Sequence, residues 1–349
     1  FIMKHLITIQ LMLCCFFFCV LPAKADKGNV ILPVVFYADE TGLGLGAMDI
    51  LYFKSEGEKH HSSINSVIFG TTKSQFLLVV RPEIQLSSLY AADGFILFND
   101  FKKQFYGTGN QSDFDNEENY KNYVYGVGFG LHRKIKDNLK IGVMYNIRNL
   151  SVKDKKTGGL MEQYDTEGVI SGAGFKASYD TRDNNLYAQT GYRLELSWLL
   201  YDSKTGSSFD YCETIMDFRN YFRIGKKTLF SYQAYGRFLN GYPPVQMLST
   251  FGGANQMRGY YSGRYVDNIV VFLQPEIKTD LSESLQISFF SGVGNVYHDL
   301  ESIDVTKIKT ASGAGLRIKL KGNPRINLRT DFGFSCESAG FYVTMLEAF

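Results

Sequence analysis

Arg258 is the residue of this chain whose setting most demands a partner. It lies in Phe251-Gly252-Gly253-Ala254-Asn255-Gln256-Met257-Arg258-Gly259-Tyr260-Tyr261, where one guanidinium is flanked by glycines and by bulky and aromatic side chains. The stretch belongs to a long loop between two alternating segments. A loop of more than about 15 residues without secondary structure is usually functional or disordered. This one has too many aromatics and too few charges for disorder. A guanidinium can donate paired, charge-assisted hydrogen bonds to a carboxylate. The loop needs a place to pack.

Reactive constellations are absent. The chain has no Gly-x-Ser-x-Gly elbow, no His-Glu-x-x-His and no phosphate-cradling loop. It reads as a protein that is not an enzyme, with no catalytic residue, cofactor or metal. His60-His61 falls in a turn and is not read as a metal site. The acidic stretch Asp113, Asp115, Glu117 and Glu118 has the types to hold a divalent cation or bridged lipopolysaccharide, but a solvated loop is the simpler reading. Lys plus Arg number 37 against 35 Asp plus Glu, a net charge of +2, so no basic footprint argues for nucleic acid.

The first 25 residues have the form of an export signal. Lys4 and His5 make a short basic region, Leu6 to Val20 an apolar one, and Ala23-Lys24-Ala25 a small-x-small cleavage site. Residues 3–25 are therefore expected to be signal peptide and 26–349 the mature domain. The bulky Phe18 before Cys19 argues against a lipoprotein. Cys14, Cys15 and Cys19 would leave with the signal, and Cys212 and Cys336 are expected to remain unpaired. Mean hydropathy is slightly negative, which excludes a bundle of membrane helices. Yet there are 23 Tyr and 28 Phe against one Trp. Such aromatic content in an exported chain suits a transmembrane β-barrel, whose strands are apolar on one face only.

The elements that must position Arg258 have period two. Leu139, Ile141, Val143, Tyr145 and Ile147 oppose Lys140, Asn146 and Arg148; Tyr192, Leu194, Leu196 and Trp198 oppose Arg193, Glu195 and Ser197. Ile326, Leu328, Phe332 and Phe334 oppose Arg325, Asn327, Arg329 and Asp331. Charges in mid-strand, also including Arg81 and Glu83, are tolerable on a wet lumen wall and costly against lipid. About sixteen such segments can be counted, an even number that returns the chain to one side of the membrane. The first is placed at 32–38 and the last at 340–349, ending in Phe349. Connections after even-numbered segments are mostly short and polar; those after odd-numbered ones include 102–117, 153–166, 241–265 and 298–307. The expected architecture is all-β: one 16-stranded antiparallel transmembrane β-barrel.

On these residues the chain resembles the BamA/TamA surface-antigen superfamily of outer-membrane insertases and translocases. The resemblance implies that the long loop is the sixth extracellular loop, folded back into the lumen with Arg258-Gly259-Tyr260 at its core and Gly252 and Gly253 leading into it. In that family the arginine is clamped by acids on strands twelve and thirteen. Glu276 stands at the first position and faces inward by alternation; the second, usually Asp, is Gly292 here, followed by Gly294. Backbone carbonyls near Gly292 are the expected substitute. The set continues with Asp180, Arg182 and Asp183 as a periplasmic turn, Ser312 to Arg317 as the fourteenth strand, and Arg329 to Gly333 as the fifteenth. Tyr37 to Gly46 resembles the opening hairpin of single-barrel members. Family insertases carry POTRA domains ahead of the barrel, whereas about seven residues separate Ala25 from the first segment here, so a member reduced to its barrel is expected.

The resemblance implies the outer membrane of a Gram-negative bacterium. The partners would be its lipids and lipopolysaccharide, client outer-membrane proteins or other outer-membrane and periplasmic subunits. Three functions compete. An insertase or translocation barrel needs a weak seam between first and last strands; the short first segment and Glu347 in the last strand suit that. A plugged structural subunit of a larger surface complex does not need it. A passive channel needs an open lumen.

Overall fold

A computed structural model describes residues 25–38, 42–55, 60–320 and 326–349. Residues 1–24, which carry nearly all of the signal sequence, and 39–41, within the opening hairpin motif, lie outside the described residues. Sixteen strands pair in chain order into one antiparallel sheet. The first eight are β1 (Ala25–Ala38), β2 (Gly42–Ser55), β3 (Ser62–Thr71), β4 (Phe76–Gln85), β5 (Tyr90–Phe105), β6 (Glu118–Lys136), β7 (Leu139–Lys153) and β8 (Gly168–Asp180). The second eight are β9 (Gly191–Tyr201), β10 (Tyr211–Ile224), β11 (Thr228–Gly241), β12 (Ile269–Asp280), β13 (Leu285–Tyr297), β14 (Lys309–Leu320), β15 (Ile326–Ser335) and β16 (Ala339–Met345). This is the sixteen-stranded transmembrane barrel, and the loop after β11, 242–268, the sixth on its side of the sheet, folds inward. Cys212 and Cys336 are free thiols.

Alternation in the sequence becomes two walls. On β6 and β7 the outward residues are Tyr125, Val127, Phe129, Leu131, Ile141, Val143, Tyr145 and Ile147, with Phe129 59% exposed. A continuous band of this kind is a liability in water and is stabilised by hydrocarbon. The lumen-facing residues between them include His132 and Asn146, both buried.

The two ends of the sheet differ from expectation. β1 is fourteen residues long and pairs with β2 from Ala25↔Ser55 to Ala38↔Gly42. Asp26-Lys27-Gly28-Asn29 has the composition of a turn, but the β2 backbone supplies its hydrogen-bond partners whatever the side chains are. The short first strand is thus corrected. β16 stops at Met345, because Leu346 takes a left-handed φ of 65° and turns the chain inward. Among the described residues no ladder joins β1 to β16. Val30, Met345 and Leu346 instead pack on one apolar cluster with Ile50, Tyr52, Leu186 and Ile326.

The lumen is packed more than wet. Its upper part holds an apolar cluster that includes Phe105, Leu150, Met161, Tyr201, Met247 and Val266. The lower mouth is filled by the β8–β9 turn, which is longer than the short polar link expected. Asp180 receives Arg182 Nε at 3.0 Å and Nη2 at 2.7 Å. Asp183 Oδ1 accepts the amides of Gln189 and Thr190 at 2.9 and 3.2 Å. These bonds turn Leu186, Tyr187 and Ala188 into the barrel, where all three are buried. Across the lumen, Asn185 Nδ2 donates to the His61 carbonyl at 2.9 Å. The expected periplasmic turn is therefore also a stopper.

Candidate functional site

Loop six enters through a 3-10 turn, Val245–Met247, and a two-stranded ribbon in which Ser249–Phe251 pairs with Tyr265–Asp267. The tip beyond the ribbon descends into the lumen. Gly253 N–H donates to the Tyr260 carbonyl at 3.2 Å, and Gly252 packs under Tyr260 and Tyr261, so this pair of glycines closes the base of the tip. Phe251, Met257, Tyr260 and Tyr265 bury their side chains against Val270, Phe272 and Val296 on the wall. The apolar tip makes no sense in solvent and is complementary to this wall.

Arg258 sits at the bottom of the tip with 1% of its side chain exposed. Its Nη2 donates to Glu276 Oε2 on β12 at 2.7 Å and its Nη1 to Asp331 Oδ2 on β15 at 2.6 Å. Arg317 on β14 completes a ring. Its Nη2 donates to Glu276 Oε1 and its Nη1 to Asp331 Oδ1, both at 2.6 Å. Two cations and two acids thus form a closed cycle, and the Arg258 guanidinium lies 3.6 Å above the Phe290 ring. A buried charge without such partners costs several kcal/mol. The cycle leaves each carboxylate oxygen satisfied.

Four more side chains extend it. Glu347 accepts Lys278 Nζ at 2.8 Å and Asn327 Nδ2 at 2.6 Å, with Arg317 Nε 3.6 Å away. Burial opposes ionisation of Glu347, but Lys278 and Arg317 hold its carboxyl below the ordinary range. This corrects the reading of Glu347 as a charge that weakens the last strand: it lies past β16 and joins the network. Arg329 Nη2 donates to the Ala254 carbonyl at 2.8 Å and to Asn255 Oδ1 at 2.7 Å. The wall therefore grips the loop at Ala254 and Asn255 as well as at Arg258.

Gly292 plays another part than expected. The second acid is Asp331, not a carbonyl near Gly292. A Cβ at Gly292 would lie 2.7 Å from Met257 Sδ, so the missing side chain makes room for the methionine. Gly294 stands hard against the Phe272 backbone and Cβ. Arg317 was recognisable only as part of a strand motif, and Asp331 only as part of another and by its inward phase beside Arg329. That phase is the signal from which both could be placed on the lumen wall. Nothing local indicates that they converge. Phe349 is buried, beyond the last strand.

Above the ring, Gly259 N–H donates to Tyr342 Oη at 3.1 Å, and the Gly259 carbonyl accepts Ser338 Oγ at 2.6 Å. Tyr260 is fully buried, with its hydroxyl 3.8 Å from Cys336 Sγ. Burial pushes its phenol well up, and Cys336 adds to this, so it stays a neutral donor. Arg264 ties loop six to the β5–β6 loop. It donates to Ser112 Oγ at 3.0 Å and the Ser112 carbonyl at 2.8 Å, between the rings of Phe114 and Tyr265. Arg264→Ala should therefore loosen the upper loop while sparing the ring below. Faster amide exchange around Ser112 with unchanged exchange at 257–260 is the expected pattern; no change at Ser112 would refute the tie.

The acids of that upper loop are mostly structural. Asp113 caps the 3-10 turn Phe114–Asn116. Glu118 is buried and accepts the amides of Leu160 and, at 3.2 Å, Met161. For Glu118 this replaces the solvated-loop reading. Among the described residues, no group of three or more His, Cys, Asp and Glu is placed to hold a metal ion.

A sixteen-stranded membrane barrel whose lumen is filled by its own sixth loop, gripped through a buried arginine, defines a class of outer-membrane barrels. The chain belongs to the Omp85 superfamily, whose domain matches residues 78–342. Similar solved structures include BamA from Haemophilus ducreyi lacking POTRA domains 1-3, at 14% identity and a TM-score of 0.59, covering 92% of this chain and 69% of that one. CdiB from Acinetobacter baumannii is 13% identical with a TM-score of 0.56, covering 93% of this chain and 60% of its own. CdiB from Escherichia coli is 12% identical with a TM-score of 0.56, with 93% and 62% covered. The chain thus spans about three fifths of either CdiB. At such identities the likeness is one of fold. No curated protein matches the sequence.

Proposed function

We propose that this chain is an outer-membrane barrel of a Gram-negative bacterium that works in outer-membrane protein assembly or biogenesis. Its partners are membrane lipids and lipopolysaccharide, client barrels, and other outer-membrane or periplasmic subunits. The observation that carries this reading is the loop locked in the lumen by Arg258, in a chain of the Omp85 superfamily. A plug held by two buried ion contacts of Arg258 is poorly suited to steady conduction, and the β8–β9 turn obstructs the lower mouth as well. The passive-channel reading loses ground on both counts.

The seam supplies the working edge. β16 has seven residues and β1 fourteen, so the last strand is too short to satisfy the first along its length. An unsatisfied strand edge is a template for pairing with another chain. A client hairpin is a suitable guest there. The test is a folding assay with a reporter barrel. Liposomes carrying the purified protein should fold the reporter faster than empty ones, read by its gel shift. Equal rates would discard the insertase reading in favour of a plugged structural subunit of a surface complex.

A further inference from the structure

Below the entry of loop six the lumen retains a cavity of about 480 Å³ lined by Arg81, Glu83, Asp93, Lys176, Glu195 and Arg219, among others. Its acids are matched. Asp93 receives Lys176 Nζ at 2.7 Å, and His132 Nε2 lies 3.1 Å away. Glu195 pairs with Arg193 and lies 3.3 Å from Lys176, and Asp217 pairs with Arg219 at 2.5 Å. Glu83 faces Lys140 and Arg193 at the lower rim.

Two guanidiniums form no ion pair among the described residues, although the Glu213 carboxylate acts on Arg148 from a distance. Arg81 opens into the cavity and forms no ion pair among the described residues. Arg148 lies with Cζ 4.7 Å over the Phe95 ring, and its Nη1 reaches Met247 Sδ at 3.6 Å. Its Nε is buried without a hydrogen-bond partner. The neighbouring charge that acts on Arg81 is that of Arg148, a like charge. The β6 glycines let this happen: a Cβ at Gly128 would strike the Phe95 ring at 2.2 Å, and one at Gly126 the Arg148 Cγ at 2.6 Å. Phe95 and Arg148 therefore lie flat on the wall and project a second cation toward the first.

Like charges in a restricted lumen repel strongly unless a counter-charge stands between them. Guanidinium groups meet phosphate oxygens in paired, charge-assisted hydrogen bonds. We propose that Arg81 and Arg148 form a lumenal binding site for a compact oxyanion of the phosphate class, beside the Met247 end of loop six. Arg148 supplies the orphaned Nε and the aromatic-backed plane, and Arg81 closes the site from β4.

Calorimetric titration of the folded barrel in zwitterionic detergent with inorganic pyrophosphate tests this. One saturable site is expected, weakened about tenfold or more in Arg81→Gln and in Arg148→Gln. Arg219→Gln is the control, because that guanidinium lines the same cavity but is matched by Asp217; it should bind as the parent does. No saturable binding, or an equal loss in all three variants, would overturn the site. Should Arg148→Gln fail to fold on heat-modifiability gels, the comparison of Arg81→Gln with Arg219→Gln decides alone.

Discussion

Arg258→Ala is expected to release loop six from the lumen while the sixteen strands remain paired. The substitution leaves Glu276 and Asp331 buried, with Arg317 bridging both and Arg329 Nε 3.5 Å from Asp331. Removing one member of a buried ion pair costs about 3–5 kcal/mol, because the partner remains desolvated. The strands have their own ladders and are not held by this residue. The cheaper response is for the tip to leave and for water to enter. Limited proteolysis should cut within 252–263 in the variant and not in the parent, and the folded band should be lost at a lower temperature on gels. Glu276→Gln and Asp331→Asn should act in the same direction. In a double-mutant cycle, Arg258 and Asp331 should show clear coupling, as members of one network do. Unchanged loop protection in Arg258→Ala would refute the anchor, and additivity would remove Asp331 from it.

Gly259→Ala should expel the same loop by a different route. Gly259 has φ +121°, a conformation L side chains rarely adopt, and an added Cβ would stand 2.7–2.9 Å from the Phe334 backbone. Neither side can yield. The Phe334 backbone is held in β15 by its pairing with β14 and β16, and on the loop side Tyr342 and Ser338 hold Gly259 through its own amide and carbonyl. Backbone strain of this kind costs about 1–3 kcal/mol, and overpacking a further 1–3. A loop as protected as in the parent, with Arg258 still in its ring, would contradict the close approach. This variant keeps every charge, so it separates fit from electrostatics.

Both outcomes bear on the proposed function. The ring connects β12, β14 and β15 to a loop that also meets β16 through Tyr342. Loop six therefore reports on the last strands next to the seam. A barrel whose seam opens during work would be expected to lose activity once the loop is freed.

Strand periodicity was legible through the body of the sheet because it is local. The alternation of Leu139 to Arg148 or Ile326 to Phe334 states which side chains face hydrocarbon, and backbone pairing between neighbours follows from it. Unlike the Arg258-Gly259-Tyr260 core, which was recognised by its resemblance to a family motif, the inward phase of Glu276 was legible for the same reason. The ends of the sheet were not. Residues 25–31 lack a clean pattern, yet the β2 edge pairs with them, and the left-handed Leu346 ends β16 early.

By itself the sequence determined an all-β membrane barrel, its strand number and faces, and a loop that needed a place to pack, for which the family resemblance implied an acidic partner. Tertiary structure alone decided which partners. Arg258 and Asp331 are 73 residues apart, and Glu276 and Arg317 are 41 apart. Whether such groups meet depends on the curvature of the wall and on how deep the loop descends, which no window of neighbouring residues encodes. Gly292 states this most directly. Its missing acid looked like a gap in the clamp, and in the folded barrel it is the space that Met257 fills while Asp331 and Arg317 close the ring from the other side.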